Sequence, residues 1–327
     1  MDSVFRFICL ILLGCSINVV LSIDVITETV SKHGRLSVNG LNLVDQSGQK
    51  FQIKGMGLGW SVWWPQYYNA DTVKGVHQLC HANAIRAAMA VGTGDRGDYL
   101  DDPQGEMRLI EAVIEAAISE DIYVLVDWHE VDSEVHVAEA KDFFDKISKK
   151  YGRYPNIIYE TFNEPVGQSW SYVLKPYHEA VIKSIRANDP YNVIIVGTPN
   201  YSTQLDEAAA DPITIDKNVM YTMHWYAATH TQWLRNIAET ALNKGIPIFV
   251  TEYGVTAADG NEPIDLNESR IWWDWMDSRS MSYLNYDIAD KTGEACSALI
   301  PGTPANQVCN PAYLTTSGKL AVEQNKK

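Results

Sequence analysis

Basic residues are scarce in this chain. Lys and Arg number 26 against 41 Asp and Glu, a formal charge of −15 at pH 7. A surface that acidic repels phosphate backbones and anionic bilayers, which excludes nucleic acid and membrane as partners and suits a neutral or cationic ligand. Beyond residue 21 no apolar run approaches the ~20 residues a bilayer span needs, so a soluble mature protein is expected. There is no internal repeat, no low-complexity linker and no Walker-type phosphate loop. The glycines Gly55, Gly57 and Gly59 are followed by Trp60 and Trp63 rather than by a helix start, and read as a loop. Metal motifs are missing too. His129-Glu130 has its next histidine at His136, no His-x-His marks the first strand, and no lysine stands ready for carbamylation at the fourth. Neither metal nor cofactor is expected.

Cysteine is sparse, with five in 327 residues, and two of them, Cys9 and Cys15, fall in a short leader. Met1 to Arg6 is a polar start with one cation, Phe7 to Leu21 is apolar, and Val20-Leu21-Ser22 offers a cleavage site. Residues 1–22 therefore read as a secretory signal peptide, which places the mature chain outside the cell. Cys296 and Cys309 flank a Pro/Gly-containing loop that an oxidising compartment could close, while Cys80, on the apolar side of a helical pattern, reads as a buried thiol. Two N-glycosylation sequons begin at Asn200 and Asn267. Residues 23–327, with a core from about 34 to 318, suit one domain and a monomer.

What is present is an alternation. Strand-like runs occur at Phe51–Met56, Ala84–Met89, Ile122–Trp128, Ile157–Asn163, Val193–Val196, Val219–His224, Ile246–Glu252 and Ser282–Tyr286. They are rich in Ile, Val, Tyr and Phe without strict alternation, as strands covered on both faces should be. Between them apolar residues recur every three or four positions, as in Glu106–Ser119, Ala138–Lys150, Trp170–Arg186 and Trp233–Asn243. Pro176 is expected to kink the third of these helices. Strands alternating with helices over this length predict an α/β fold, a single (β/α)8 TIM barrel.

In such a barrel the active site forms at the carboxyl ends of the strands. Polar groups stand at five of those ends here: Arg86 within the second strand, Asp127-Trp128-His129 on the third, Asn163-Glu164-Pro165 on the fourth, His224-Trp225-Tyr226 on the sixth, Glu252-Tyr253-Gly254 on the seventh. Singly, each has a plain structural reading: a salt-bridged arginine, a satisfied histidine, a turn. Jointly they surround two carboxylates, Glu164 and Glu252, which is what acid-assisted cleavage of a glycosidic bond requires. The Glu252 carboxylate is expected to raise the pKa of Glu164, and Arg86 to keep Glu252 ionised.

The set Ile85-Arg86-Ala87-Ala88-Met89, Val126-Asp127-Trp128-His129, Phe162-Asn163-Glu164-Pro165, His224-Trp225-Tyr226 and Val250-Thr251-Glu252-Tyr253-Gly254 resembles glycoside hydrolase family 5. More narrowly it resembles the secreted endo-β-1,4-glucanases (cellulases) of bacteria and plant-feeding nematodes. The resemblance implies Glu164 as acid/base and Glu252 as nucleophile of a retaining double displacement on β-glucan. It implies Asn163 at the sugar 2-hydroxyl, Arg86 and Tyr226 orienting the nucleophile, and His129 and His224 at sugar hydroxyls. Trp63 or Trp64, Tyr201 and Lys291 match cleft residues. Two positions depart from the pattern: Tyr286 stands where relatives carry the Trp floor of the reactive subsite, and Tyr253 where they carry Trp after the nucleophile. Those changes are expected to affect affinity and substrate range. No linker or carbohydrate-binding module is recognised, which favours soluble or amorphous glucan. The two glutamates do not specify the sugar, so a mannanase or xylanase, or a non-catalytic carbohydrate-binding effector, remain as alternatives.

Overall fold

The computed structural model describes residues 29–131 and 135–327. The leader read over 1–22 lies outside the described residues. A small antiparallel hairpin, β1 (Ser37–Asn39) and β2 (Asn42–Val44), precedes the main sheet. Eight parallel strands follow: β3 (Lys54–Leu58), β4 (Ala84–Val91), β5 (Tyr123–Glu130), β6 (Ile157–Glu160), β7 (Ile194–Val196), β8 (Val219–Tyr226), β9 (Ile248–Gly254) and β10 (Tyr283–Ile288). They pair in chain order and β10 closes back onto β3, a complete (β/α)8 barrel. All eight runs read from the sequence are strands, displaced by a few residues at their ends.

Side-chain alternation divides the interior into two cores. Ala84, Tyr123, Leu125, Ile158, Ile195, Met220, Phe249 and Leu284 point inward and fill the barrel floor with Leu36, Leu43 and Phe51 from the amino-terminal segment. Their neighbours Ile85, Val124, Val126, Trp128, Ile194 and Val250 point outward against the helices. Continuing the inward series toward the carboxyl ends leads from Leu125 to Asp127 and His129, and from Met220 to Thr222, His224 and Tyr226. The barrel floor is thus apolar and its top polar by period-two alternation alone.

Two irregularities break that alternation where it matters. Thr222 pairs with Phe249 but His224 pairs with Glu252, so β9 carries one extra residue between them. The bulge turns both Thr251 and Glu252 inward and sends Tyr253 outward. In β10, Asn285 pairs with Met56 and Ile288 with Leu58, a second extra residue at Tyr286–Asp287, whose peptide bond is cis.

The helix expected over Trp170–Arg186 is a π-helical turn at Trp170–Leu174 running into an α-helix at Lys175–Arg186. Pro176 sits in that α-helix's first turn, where its missing N–H is tolerated. The cysteine pairing differs from expectation. Cys80 is joined to Cys309, not Cys296 to Cys309, and among the described residues Cys296 is the free, buried thiol. Helix Ala70–Gln78, which ends just before Cys80, meets the carboxyl-terminal segment directly: a Cβ on Gly75 would stand 2.5 Å from the Val308 carbonyl. With Cα atoms 5.3 Å apart, Cys80 and Cys309 meet the geometric need that sequence proximity had assigned to Cys296. Among the described residues no helix is long and apolar enough to cross a membrane.

Candidate active site

Arg86, wholly buried on β4, organises the top of the barrel. Its Nε donates to Glu160 Oε2 at 2.7 Å, Nη1 to Glu252 Oε2 at 3.1 Å and Nη2 to Asn163 Oδ1 at 2.6 Å. Nη2 also lies 3.0 Å from Asp127 Oδ2. One buried cation therefore faces three carboxyl groups. Burial pushes Asp127 up to about 8, so it holds its proton at neutral pH, and Asp127 Oδ2 sits 2.6 Å from His129 Nδ1. His129 is driven well below its ordinary value by burial, next to the Arg86 charge, and stays neutral.

Glu252 is held from two directions. Arg86 takes one oxygen and the Tyr226 hydroxyl donates to the other in a short contact. Glu164, one residue beyond Asn163, accepts no such cation directly. Its Oε1 lies 2.8 Å from His224 Nδ1. Burial lifts the Glu164 carboxyl from 4.5 to about 7, the Arg86 charge opposing. Removal from water, not repulsion by Glu252 as the sequence reading expected, is the cause.

The hydrogen-bond pattern assigns the proton on that pair. Thr251 Oγ1 donates to Glu160 Oε1 at 2.6 Å, which leaves it to accept from His224 Nε2 at 2.9 Å. His224 is lowered to about 4 by burial and is neutral, so its single ring proton is on Nε2. Nδ1 is then an acceptor, and Glu164 is the partner that donates. The arrangement presents Glu164 as a carboxylic acid at rest.

Glu164, His224 and Glu252 place one atom each within 4.8 Å of one another, a spacing a metal ion could also use. Arg86 already supplies the positive charge at Glu252, and His224 Nδ1 is engaged by Glu164. Those contacts fit two carboxyl groups acting directly better than they fit a cation site.

The cavity over the pair, about 240 Å³, is lined by Trp60, Trp63, His129, Asn163, Glu164, Tyr226, Glu252, Tyr286 and Glu294 among others. The amide oxygen of Asn163 is taken by Arg86, which leaves its nitrogen as the donor facing this space. Tyr286 lies parallel to His129 with centroids 6.3 Å apart. Trp63 is nearly half exposed, with its indole N–H on Asp95 at 2.7 Å. A second cavity of about 370 Å³ adjoins it and is lined by Glu164, Tyr201, His224, Tyr226, His230 and Trp233 among others. Tyr201 reaches it from a left-handed turn: Asn200, Tyr201 and Ser202 have φ of 54°, 59° and 55°. Ser202 Oγ donates to the Asn163 carbonyl at 2.7 Å and Tyr201 N to the Pro165 carbonyl at 2.8 Å, which pins the turn to the loop that carries Glu164. The Asn200 sequon thus sits on the cavity lip, and the Asn267 sequon on the exposed first turn of helix Leu266–Asp277.

Arg86, His129, Asn163, Glu164, His224, Tyr226, Glu252, Tyr286, Trp63 and Tyr201 are brought together. Three other residues fall elsewhere. Trp64 packs against the hydrophobic core and Gly59. Lys291 is exposed and ion-paired to Glu294 at 2.7 Å; Glu294, not the lysine, lines the cavity. Tyr253 is buried between Trp225, at 4.9 Å, and Trp273, because the β9 bulge turns it outward. It touches no cavity wall, which corrects the expectation that it bears on substrate range. Sequence reasoning missed Trp60, His230, Trp233 and Glu294. Trp60 lies in the loop already noted for its tryptophans; nothing in the local pattern set the others apart.

The family model for cellulase (glycosyl hydrolase family 5) matches residues 44–292. Endoglucanase Z of Dickeya dadantii is 43% identical over 288 residues, 87% of this chain and 64% of its own. An endoglucanase of Clostridium saccharobutylicum is 40% identical over 89% of this chain and 64% of its own. The chain thus spans about three fifths of the length of these relatives. A solved structure from Cytophaga hutchinsonii superposes with a TM-score of 0.88 at 43% identity, covering 91% of this chain and 96% of that one. The catalytic domain of Thermobifida fusca endoglucanase Cel5A, also solved with cellotetraose, gives 0.85 at 29% identity over 92% and 100%. With the family model covering most of the barrel and the paired glutamates standing at its strand ends, the chain belongs to the cellulase family of glycosyl hydrolases, family 5.

Proposed function

We propose that this chain is a secreted endo-β-1,4-glucanase that cuts internal bonds of cellulose-type β-glucans and retains the anomeric configuration. One observation carries the reading: an oxygen of Glu164 and one of Glu252 lie within 4.8 Å at the mouth of a closed barrel. Inversion needs a water between the two groups and a separation of about 6.5–9.5 Å, whereas direct attack by one carboxylate needs about 5–5.5 Å. The endoglucanase names of the relatives support β-glucan as the substrate.

In the first step Glu252 attacks the anomeric carbon and the glycosidic C–O bond breaks. Glu164 delivers its proton to the departing oxygen, which leaves as a sugar hydroxyl. The resulting glycosyl ester on Glu252 is resolved by water, whose proton returns to Glu164 as the Glu252 carboxylate departs. Arg86 and Tyr226 orient the nucleophile. The Asn163 amide nitrogen and the neutral His129 offer hydrogen bonds to sugar hydroxyls, and Trp63 and Tyr286 offer faces for the rings. The apolar segment 7–21 supports export, and a buried Cys80–Cys309 disulfide suits an oxidising compartment.

The test is a reducing-sugar assay over carboxymethylcellulose, lichenan, xylan and mannan, with products sized and the first-formed anomer read by proton NMR. Release of β-anomeric cello-oligosaccharides is expected, and Glu252→Gln should abolish turnover while cello-oligosaccharide binding persists. An α-anomer at early times would refute retention; faster cleavage of xylan or mannan would refute the substrate.

A further inference from the structure

The two cavities meet the catalytic pair differently. The smaller touches both Glu164 and Glu252, whereas the larger touches Glu164 and not Glu252. The nucleophile must face the anomeric carbon, so the sugar that becomes covalently held occupies the smaller cavity. The acid alone must reach the departing oxygen, so the leaving portion of the chain occupies the larger.

A line of rings runs outward along one wall of the larger cavity. From Tyr226, which holds the nucleophile, the His230 ring lies 6.2 Å away and the Trp233 ring a further 5.6 Å. His230 is fixed: its Nδ1 accepts the Tyr226 N–H at 2.8 Å, and its carbonyl accepts from Trp272 Nε1 at 2.7 Å. With Nδ1 used as acceptor and the ring held neutral by burial, down to about 4, the Nε2–H is left as a donor. Trp233 stands at the start of helix Gln232–Asn243 with nearly half its surface in water. An exposed indole beside a neutral donor, in a cavity that Tyr201 also lines, is the pairing that a sugar ring uses, stacking on one face and hydrogen-bonding at the edge.

We propose that Trp233 is a specificity-determining residue of the leaving-group side: it carries the second glucosyl unit beyond the scissile bond, while His230 offers a hydrogen bond to the first. The assignment rests on the glucanase reading above and goes beyond it by fixing which bond of a bound chain is cut. With this platform the enzyme prefers cuts that release a disaccharide or longer from the reducing end.

The experiment compares two substrates in the parent enzyme, Trp233→Ala and Trp233→Phe. One is cellopentaose carrying 18O at its reducing end; the other is 4-nitrophenyl β-cellobioside, whose leaving group is a single ring. Trp233→Ala is expected to lose about tenfold more kcat/KM on cellopentaose than on the aryl glycoside. Among labelled products, glucose should rise at the expense of cellobiose, and Trp233→Phe should restore most of both. Equal losses on the two substrates, or an unchanged ratio of labelled products, would overturn the assignment. Turnover of neither substrate by the parent would instead sink the hydrolase reading, a distinguishable result.

Discussion

Exchange of Glu164 for glutamine measures what it costs the fold to keep an acid in the cleft. Burial lifts this carboxyl from 4.5 to about 7. Between those values the native protein still holds a proton that the unfolded chain has released, so stability falls as pH rises through the window. Below the lower value nothing is lost; above the upper one the deficit reaches about 3 kcal/mol, at roughly 1.4 kcal/mol for each tenfold change in proton concentration. Glutamine does not titrate, and its amide nitrogen can donate to His224 Nδ1 as the acid does. Urea unfolding should therefore find Glu164→Gln more stable than the parent by about 3 kcal/mol near pH 8 and equal to it near pH 4. The same titration should appear in the parent's kinetics, with kcat/KM on soluble glucan falling about tenfold per pH increment above 7 as the proton donor is lost. A stability gap identical at both pH values would refute burial as the origin of the acid's protonation. So would an alkaline limb far from the upper end of the stability change, near pH 7.

Two further outcomes follow from the geometry. Tyr226→Phe removes one of two donors on Glu252, the proposed nucleophile, and should cost about 1.5–3 kcal/mol of transition-state stabilisation, a roughly 10- to 150-fold loss in kcat/KM with an unchanged melting curve; a loss under twofold would make that hydrogen bond dispensable. The Cys80–Cys309 bond closes a sequence separation of 229. Chain entropy then assigns it about 5 kcal/mol, so the double alanine variant should melt roughly 10 °C lower, read by calorimetry. An unchanged melting temperature would mean the two sulfurs are not joined in the folded protein.

Much of the barrel was legible because strands covered on both faces need continuous Ile, Val and Tyr runs, and that signal survives without tertiary information. The gathering of Glu164 and Glu252 was legible too, since Asn163 and Tyr226 fall at or just past strand ends that chain order identifies, and Arg86 is a lone cation within an apolar strand. What was not legible depended on counts of one. The bulge in β9 reverses parity after Phe249, so Glu252 faces inward while Tyr253, expected at the cleft, packs on Trp225. The disulfide was misread because Cys80 and Cys309 meet only when helix and carboxyl-terminal segment pack together. The source of the Glu164 shift was misjudged for a similar reason, since desolvation is a property of surroundings that no sequence spacing reports.

The left-handed turn at Asn200–Ser202 sets backbone energy against the chemistry of the cavity wall. Each non-glycine residue there costs about 1–2 kcal/mol of backbone energy, repeated three times in succession. Glycine would relax the turn, yet at the middle position it would erase the Tyr201 ring that the turn exists to present. Stability and wall chemistry are thus in opposition over three residues, anchored to the loop that carries Glu164. Substitution there would reshape the wall of the second cavity in small steps while Glu164 and Glu252 keep their own contacts.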